Sequence, residues 1–303
     1  MKTLPIIEQH FHGAYGVDFN KACTNDIVNL SHKLKQDGIG GFFPTLVTDT
    51  VENTQRQISV IKEASKKCDA ILGIHLEGIF LNPLKKGIHN VEHFLALTIE
   101  NYKKLEDDFI KIVTLAPELD RGLIGYLKSK GVKVQAGHCI GWKTGDLKPD
   151  GATHMYNAMA GISHKVESTA LSAMLDDEVY TEVIADGVHV NDNALKLLLK
   201  TKPQDKILLI SDSLPIAHSD LKETVFAGSK IFYDGKKARA TDGTIAGSVN
   251  LLPDIIKILG KKNLFNPKYI ENSYKYHNIE PSGELVWDEE FNIVQNSLSN
   301  QIN

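Results

Sequence analysis

Apolar, β-prone residues cluster in eight short runs, at 4–9, 39–43, 70–74, 109–114, 132–136, 151–153, 180–185 and 207–211. None alternates cleanly between apolar and polar positions, so each predicts a strand buried on both faces, as in a parallel sheet covered by helices. The segments between them carry helix signals. Thr24 is placed to cap a helix whose Ile27, Leu30 and Leu34 share one face before Gly38 stops it, and Asp49 with Glu52 has capping-box spacing. Beyond Pro117, Leu123 and Leu127 lie on one helical face ahead of Gly131, and Asn191 is placed to cap a stretch containing Ala194, Leu195 and Leu198. Strand followed by helix, repeated around the chain, predicts an α/β fold of the (β/α)8 TIM-barrel type.

After residue 211 the pattern changes. Tyr233-Asp234-Gly235 sits between β-prone stretches and predicts a hairpin insertion near 223–245, followed by a helix over 249–259. Leu285-Val286-Trp287 and Phe291-Asn292-Ile293-Val294 flank an acidic turn and predict a second hairpin. The expected organisation is therefore a barrel over 1–279, including the insertion, and a C-terminal β-hairpin and tail over 280–303 whose last polar residues fray.

A length of 303 residues suits one large barrel with a small appendage. The net charge of -4 supplies no basic field, which argues against a nucleic-acid partner. The apolar start of the chain, broken by Pro5 and Glu8, is too short for a signal segment or a membrane span. Cys23, Cys68 and Cys139 form no CxxC pair and are odd in number, so reduced thiols and a cytoplasmic location are expected.

Histidine, at 12 residues, changes the picture because of where it falls. In a parallel barrel the functional loops follow the C-terminal ends of the strands. His10 and His12 follow the first run, His75 and Glu77 the third, His138 the fifth, His154 the sixth, Asp186 and His189 the seventh, and Asp212 the eighth. Residues far apart in sequence thus converge on one rim. HxH on a strand presents both imidazoles to the same side, and imidazole with carboxylate suits Zn²⁺ or Fe²⁺. Any one of these histidines, alone, is more simply a hydrogen-bonded structural residue; the set on a shared rim is a metal-site candidate. Asp212 follows the most hydrophobic run, where a carboxylate is costly unless paired, and is the candidate base.

The stretches IIEQHFHGAYGVDF, GFFPTLVT, GIHLEGIFLNPLKKGIHN, LAPE, AGHC, THMYNAM, IADGVHV, LLISDS and TIAGS resemble, in collinear order from residue 6 to 248, the signatures of the N-acetylglucosamine-6-phosphate deacetylase family of the amidohydrolase superfamily. The resemblance implies that Glu77, His138 and His154 hold the principal divalent metal, Zn²⁺ or alternatively Fe²⁺. His10 and His12 would complete a second site, giving one or two ions per subunit. It further implies Asp212 both as a metal ligand and as the group that takes a proton from water and returns it to the departing amine. His89 would contact the sugar, and Asn157, Ala158 and His189 would serve the phosphate end. A homodimer and an amino-sugar phosphate substrate are the implied partners, with no membrane partner.

Four departures bear on that expectation. Family members usually have Pro after HLEG, where this chain has Ile79. Where the family has a Gly-Arg-Glu-Pro-Gly segment whose arginine reaches the phosphate, often across a dimer interface, this chain reads His164-Lys165-Val166-Glu167-Ser168, and Lys165 offers a point charge in place of a bidentate fork. Members normally start with small β-structure that joins the C-terminal strands, and the tail from Glu280 is read as the remnant of that domain. Cys139 and Ile140 follow His138 where small polar residues are common. The expected function is deacetylation of GlcNAc-6-phosphate; the competing readings are hydrolysis of another N-acyl or cyclic amide, and a non-catalytic sugar-phosphate-binding homologue.

Overall fold

A computed structural model describes residues 1–142 and 147–298. Its centre is a parallel sheet of β1 Ile6–Phe11, β2 Ile39–Val47, β3 Ile74–Glu77, β4 Ile110–Leu115, β5 Lys133–Ala136, β6 Gly151–Ala152, β7 Tyr180–Val183 and β8 Ile207–Leu209, each beside its neighbour in sequence. The sheet closes into a barrel: the Asp212 amide donates to the His10 carbonyl at 2.9 Å, and the His12 amide to the Ser213 carbonyl at 2.8 Å. The expected (β/α)8 architecture is therefore the observed one.

Strand limits moved in a way that bears on the site. The first strand runs through His10 to Phe11, and the third begins only at Ile74, so His10, His75 and Glu77 lie within strands and do not merely follow them. Residues 70–73 are loop, apart from a single bridge between Ile71 and Phe42. Every residue of β1 is buried although Glu8, Gln9 and His10 occupy its middle. Hydrophobicity under-reads such strands, because a barrel interior excludes water from polar side chains that satisfy one another.

Helices α1 Thr24–Gln36, α2 Val51–Ser65, α3 Ile99–Lys103, α4 Leu123–Ser129, α5 Thr169–Leu175 and α6 Asp192–Thr201 cross between strands. Ile27, Leu30 and Leu34 are buried on α1 as expected, but Cys23 is the residue before the first turn, its amide held by the Asp26 carboxylate at 2.9 Å. On α2 the cap is Thr50, whose hydroxyl accepts from Asn53, while Asp49 instead binds the Thr50 amide. Asn191 caps α6 as predicted. The helix expected over 249–259 is α7 Leu252–Lys261.

The helix α8 Lys268–His277 gave no apolar stripe, since Tyr269, Asn272, Ser273, Tyr274 and Tyr276 make up most of its buried face. It lies across the barrel seam: the Tyr274 hydroxyl donates to the Pro5 carbonyl and the Asn272 amide to the Ile207 carbonyl, both at 2.8 Å. Asn272 and Tyr274 bury here because they reach strand-end carbonyls, and Tyr269 because its hydroxyl donates to the Gln204 side-chain oxygen, partners that helix periodicity does not report.

The insertion is larger than a hairpin. Glu223–Phe226, Ser229–Tyr233, Ala238–Ala240 and Ile245–Gly247 form a four-stranded antiparallel sheet, with a separate small core of Leu214, Phe226, Ile231 and Ala246 against Val47. In the tail, Leu285–Trp287 pairs with Ile293–Asn296 as expected and also with Lys2–Thr3, tying the two ends of the described chain together. Residues 299–303, predicted to fray, lie outside the described residues. Cys23, Cys68 and Cys139 are free thiols, and among the described residues no helix is long and apolar enough to cross a membrane.

Trp287 holds this terminal sheet to the barrel. It is buried, its indole donates to the Thr3 hydroxyl at 2.8 Å, and the N-terminal amine donates to its carbonyl at 2.8 Å. Trp287→Ala should lower unfolding stability by about 3–5 kcal/mol, read from urea denaturation. A midpoint unchanged from the parent would show that the terminal sheet does not contribute to barrel stability.

Candidate metal centre and active site

Six side chains converge inside the C-terminal mouth of the barrel. The i, i+2 spacing on β1 sends His10 and His12 to the same side. The outer nitrogen of His10 faces the Glu182 carboxylate at 3.0 Å and that of His12 faces the Thr45 carbonyl at 3.2 Å. Their Nε2 atoms meet Glu77 Oε2, at 3.4 Å from His10 and 3.0 Å from His12, and Asp212 Oδ1, at 3.6 and 3.2 Å. The other oxygen of Glu77, Oε1, lies 3.3 Å from His138 Nε2 and 2.9 Å from His154 Nε2. His138 is anchored through Nδ1 to the Lys85 carbonyl at 2.8 Å. Glu77 thus stands between two imidazole pairs, one per oxygen.

The donor set fits divalent metal. All six groups are buried, and four imidazoles with two carboxylates are the ligand types of Zn²⁺ and Fe²⁺ centres. His10 Nε2 is a buried nitrogen without a hydrogen-bond partner, although its carboxylate neighbours stand just beyond. His138 Nε2 and His154 Nε2 face each other at 3.1 Å, an arrangement a cation between them and Glu77 would satisfy. The outer nitrogens of His10, His12 and His138 are each fixed by an oxygen, as metal-binding imidazoles generally require.

Electrostatics keep the carboxylates ionised. Burial opposes charge on Glu77, but the neighbouring His10 charge and the contacts of His12 and His138 hold its carboxyl well below the usual range. Burial likewise opposes charge on Asp212, and its His12 contact with the nearby His10 charge brings it below the ordinary value. Burial pushes His12 down, yet Asp212 and Glu77 outweigh this and raise it to about 9. Deeper in the barrel, His75 bonds the Gln9 carbonyl and the Thr114 hydroxyl, and burial drives it down to about 3, so it is a neutral structural residue.

His138, His154 and Asp212 all have left-handed backbones, with φ of 47°, 30° and 51°. Each such non-glycine conformation costs about 1–3 kcal/mol, and such strain clusters at functional sites. Ile79 shares it, at φ 69°, and its amide donates to the Thr48 hydroxyl at 2.9 Å. Proline reaches neither that φ nor that hydrogen bond. The departure from the family's usual proline is therefore accompanied by a loop that proline does not fit.

A cavity of about 180 Å³ opens above the cluster, lined by His12, Glu77, His138, His154 and Asp212. His89 lines it, its Nδ1 paired with the Thr48 hydroxyl at 2.8 Å. His89 groups with Glu77 and His138; its Nε2 is 3.7 Å from Glu77 Oε2, while His154 Nε2 lies 2.9 Å from Oε1 and 3.1 Å from His138 Nε2. Asn157, Ala158 and His189 line the same cavity. The ring of His189 is held by Asp186 at 2.8 Å, and Asp186 is held in turn by the Ser248 hydroxyl at 3.1 Å. Lys165 is exposed and does not line the cavity. Thr244, Ile245, Ala246 and Gly247 of the insertion wall it, as do Gly87 and Ile88. Sequence reasoning named none of these six as site residues, although TIAGS stood out as a motif. Glu182 was also missed; only its place in a buried run hinted at it.

A (β/α)8 barrel bearing a histidine–carboxylate cluster suited to a metal inside its C-terminal mouth is the arrangement of the amidohydrolase class. No family model matches the chain. It is 34% identical over 262 residues to N-acetylglucosamine-6-phosphate deacetylase of Bacillus subtilis, covering 80% of this chain and 66% of that protein. It is 29% identical over 258 residues to N-acetylgalactosamine-6-phosphate deacetylase of Escherichia coli O157:H7, covering 80% and 67%. The crystal structure of the Pasteurella multocida N-acetylglucosamine-6-phosphate deacetylase matches with TM-score 0.83 and 25% identity over 97% of this chain and 84% of that one. The chain belongs to the N-acetylglucosamine-6-phosphate deacetylase family, and its matched part spans about two thirds of the length of these curated relatives.

Ile79→Pro should destabilise by more than about 1 kcal/mol, because both its φ and its donated N–H are incompatible with proline, and shift the thermal midpoint downward. Parental stability in that variant would show that the loop readily adopts a proline-compatible path.

Proposed function

We propose that the chain is a metal-dependent deacetylase that hydrolyses the N-acetyl amide of an amino-sugar phosphate, converting GlcNAc-6-phosphate to GlcN-6-phosphate and acetate. The observation that carries the reading is Asp212, an ionised carboxylate beside His10, His12 and Glu77 at the base of the cavity. Its place in a chain belonging to this family adds to that support.

Glu77, His138 and His154 would hold one divalent ion, and His10 and His12 a second, with Asp212 adjoining it. Support for two ions comes from Glu77 presenting a different oxygen to each histidine pair. Zn²⁺ is the favoured ion and Fe²⁺ the alternative. Such an ion, when bound, supplies Lewis acidity toward the amide carbonyl and makes water a stronger acid. Asp212 accepts a proton from the attacking water and then delivers it to the amide nitrogen as the C–N bond breaks. His89 stays neutral because burial holds it well below the usual histidine range, which suits it to hydrogen-bond a sugar hydroxyl. His189, Asn157 and Ala158 would receive the phosphate end. Lys165 would reach phosphate only across a subunit contact, for which exposed Ile162 and Val166 beside it supply apolar surface; a homodimer is the assembly this reading expects.

Asp212→Asn should lower acetate release by at least about a hundredfold, the scale of general acid–base catalysis, with bound metal retained in elemental analysis. Normal turnover in that variant would remove Asp212 from its role. Metal-loaded protein should release acetate from GlcNAc-6-phosphate faster than from GalNAc-6-phosphate or unphosphorylated GlcNAc. A preference for GalNAc-6-phosphate would assign the specificity of the E. coli relative, and three flat traces would overturn the deacetylase reading. Chelation should abolish activity, with return on adding Zn²⁺.

A further inference from the structure

Beneath the six candidate ligands lies a carboxylate that the proposed chemistry does not use. Glu182, in the middle of β7, is fully buried. Its Oε2 faces His10 Nδ1 at 3.0 Å and accepts the His154 backbone amide at 3.3 Å. Its Oε1 accepts the side-chain amides of Gln9 at 2.6 Å and Gln135 at 3.2 Å. A buried carboxylate is costly unless its lone pairs are satisfied, and here four donors from β1, β5 and the turn after β6 meet both oxygens. Gln9 is fixed in turn by His277 of α8, whose Nε2 lies 2.9 Å from the Gln9 side-chain oxygen.

The consequence falls on both histidine pairs. With Nδ1 of His10 committed to Glu182 as donor, Nε2 is the nitrogen that would give its lone pair to an ion beside Glu77 and Asp212. The same Glu182 oxygen holds the amide of His154, whose backbone sits at the strained φ of 30°. We propose that Glu182 is the positioning residue of the metal centre, fixing the ring of His10 and the backbone of His154 through one oxygen and so setting the spacing of the two pairs about Glu77. This inference rests on the two-ion reading above.

Removal and weakening are separable. Glu182→Met keeps the length of the side chain and deletes the acceptors. Glu182→Gln keeps one acceptor for His10, since Gln135 has an unpartnered side-chain oxygen that can turn to receive the new amide. Full-length protein is titrated with Zn²⁺ in metal-buffered solution and its ions per chain counted. Loss of such an outer partner weakens metal binding by about 10–100-fold, so Glu182→Met should lose its more weakly held ion at that level, with Glu182→Gln between it and the parent. In nitrogen-15 spectra of the Zn²⁺-loaded parent, His10 should show a slowly exchanging proton on Nδ1 that is absent in Glu182→Met. Parental zinc affinity in a folded Glu182→Met, or an unprotonated Nδ1 on His10 of the loaded parent, would overturn the proposal. Should Glu182→Met not fold, Glu182→Gln decides: parental affinity with an unchanged His10 signal overturns it as well. A parent that binds one ion would refute the two-ion reading, and the His10 signal would still judge Glu182.

Discussion

The centre of this protein is organised by a single carboxylate held among imidazoles. Glu77 ends a short buried strand and presents one oxygen to His10 and His12 and the other to His138 and His154. Burial opposes its charge, and the surrounding imidazoles favour it, so the group stays ionised where an isolated carboxylate would take up a proton. Four strands and their loops must keep register for that arrangement to persist. The left-handed backbones of His138, His154 and Asp212 are the local cost, borne by the closed barrel around them.

The polar character of the centre continues down the barrel axis. Glu8, Gln9, His75, Gln135 and Glu182 are all buried where a typical parallel barrel carries branched apolar side chains. Glu8 accepts from the Ser211 and His10 amides, and burial, only partly offset by these bonds, pushes its carboxyl up to about 8. The barrel interior thus holds one carboxyl, Glu8, that favours the protonated form near neutral pH and one, Glu182, that His10 keeps ionised against the effect of burial. Such a network is stable only when nearly every donor and acceptor is met. At the seam between the first and eighth strands α8 supplies partners from Asn272, Tyr274 and His277.

Apolar packing does its work outside this axis. Leu34, Leu123 and Leu127 bury against the outer face of the sheet, and the antiparallel insertion keeps its own small core while its last strand walls the cavity. Substrate-facing surface is therefore supplied by an element added to the barrel, while the candidate ligands come from the barrel itself.

Most of the architecture was readable from the chain alone. The eight runs marked the strands because parallel strands are covered on both faces, and Asn191, Gly38 and Gly131 marked helix ends through local backbone chemistry. The candidate ligands were readable because HxH spacing and positions near strand ends are one-dimensional features. Three things were not. Strand limits at His10 and at 74–77 were misjudged because polar residues occupy inward positions. The helix α8 was overlooked because its buried face is polar. The role open to Glu182, and the walling of the cavity by Thr244–Gly247, depend on contacts between residues far apart in sequence. Periodicity and caps are set within a few residues of chain, and so the sequence by itself determined the fold class, while HxH spacing and strand-end positions named the candidate ligands. Which oxygen of Glu77 meets which imidazole, and what holds each ring in place, is decided only when barrel closure brings distant strands within hydrogen-bonding distance.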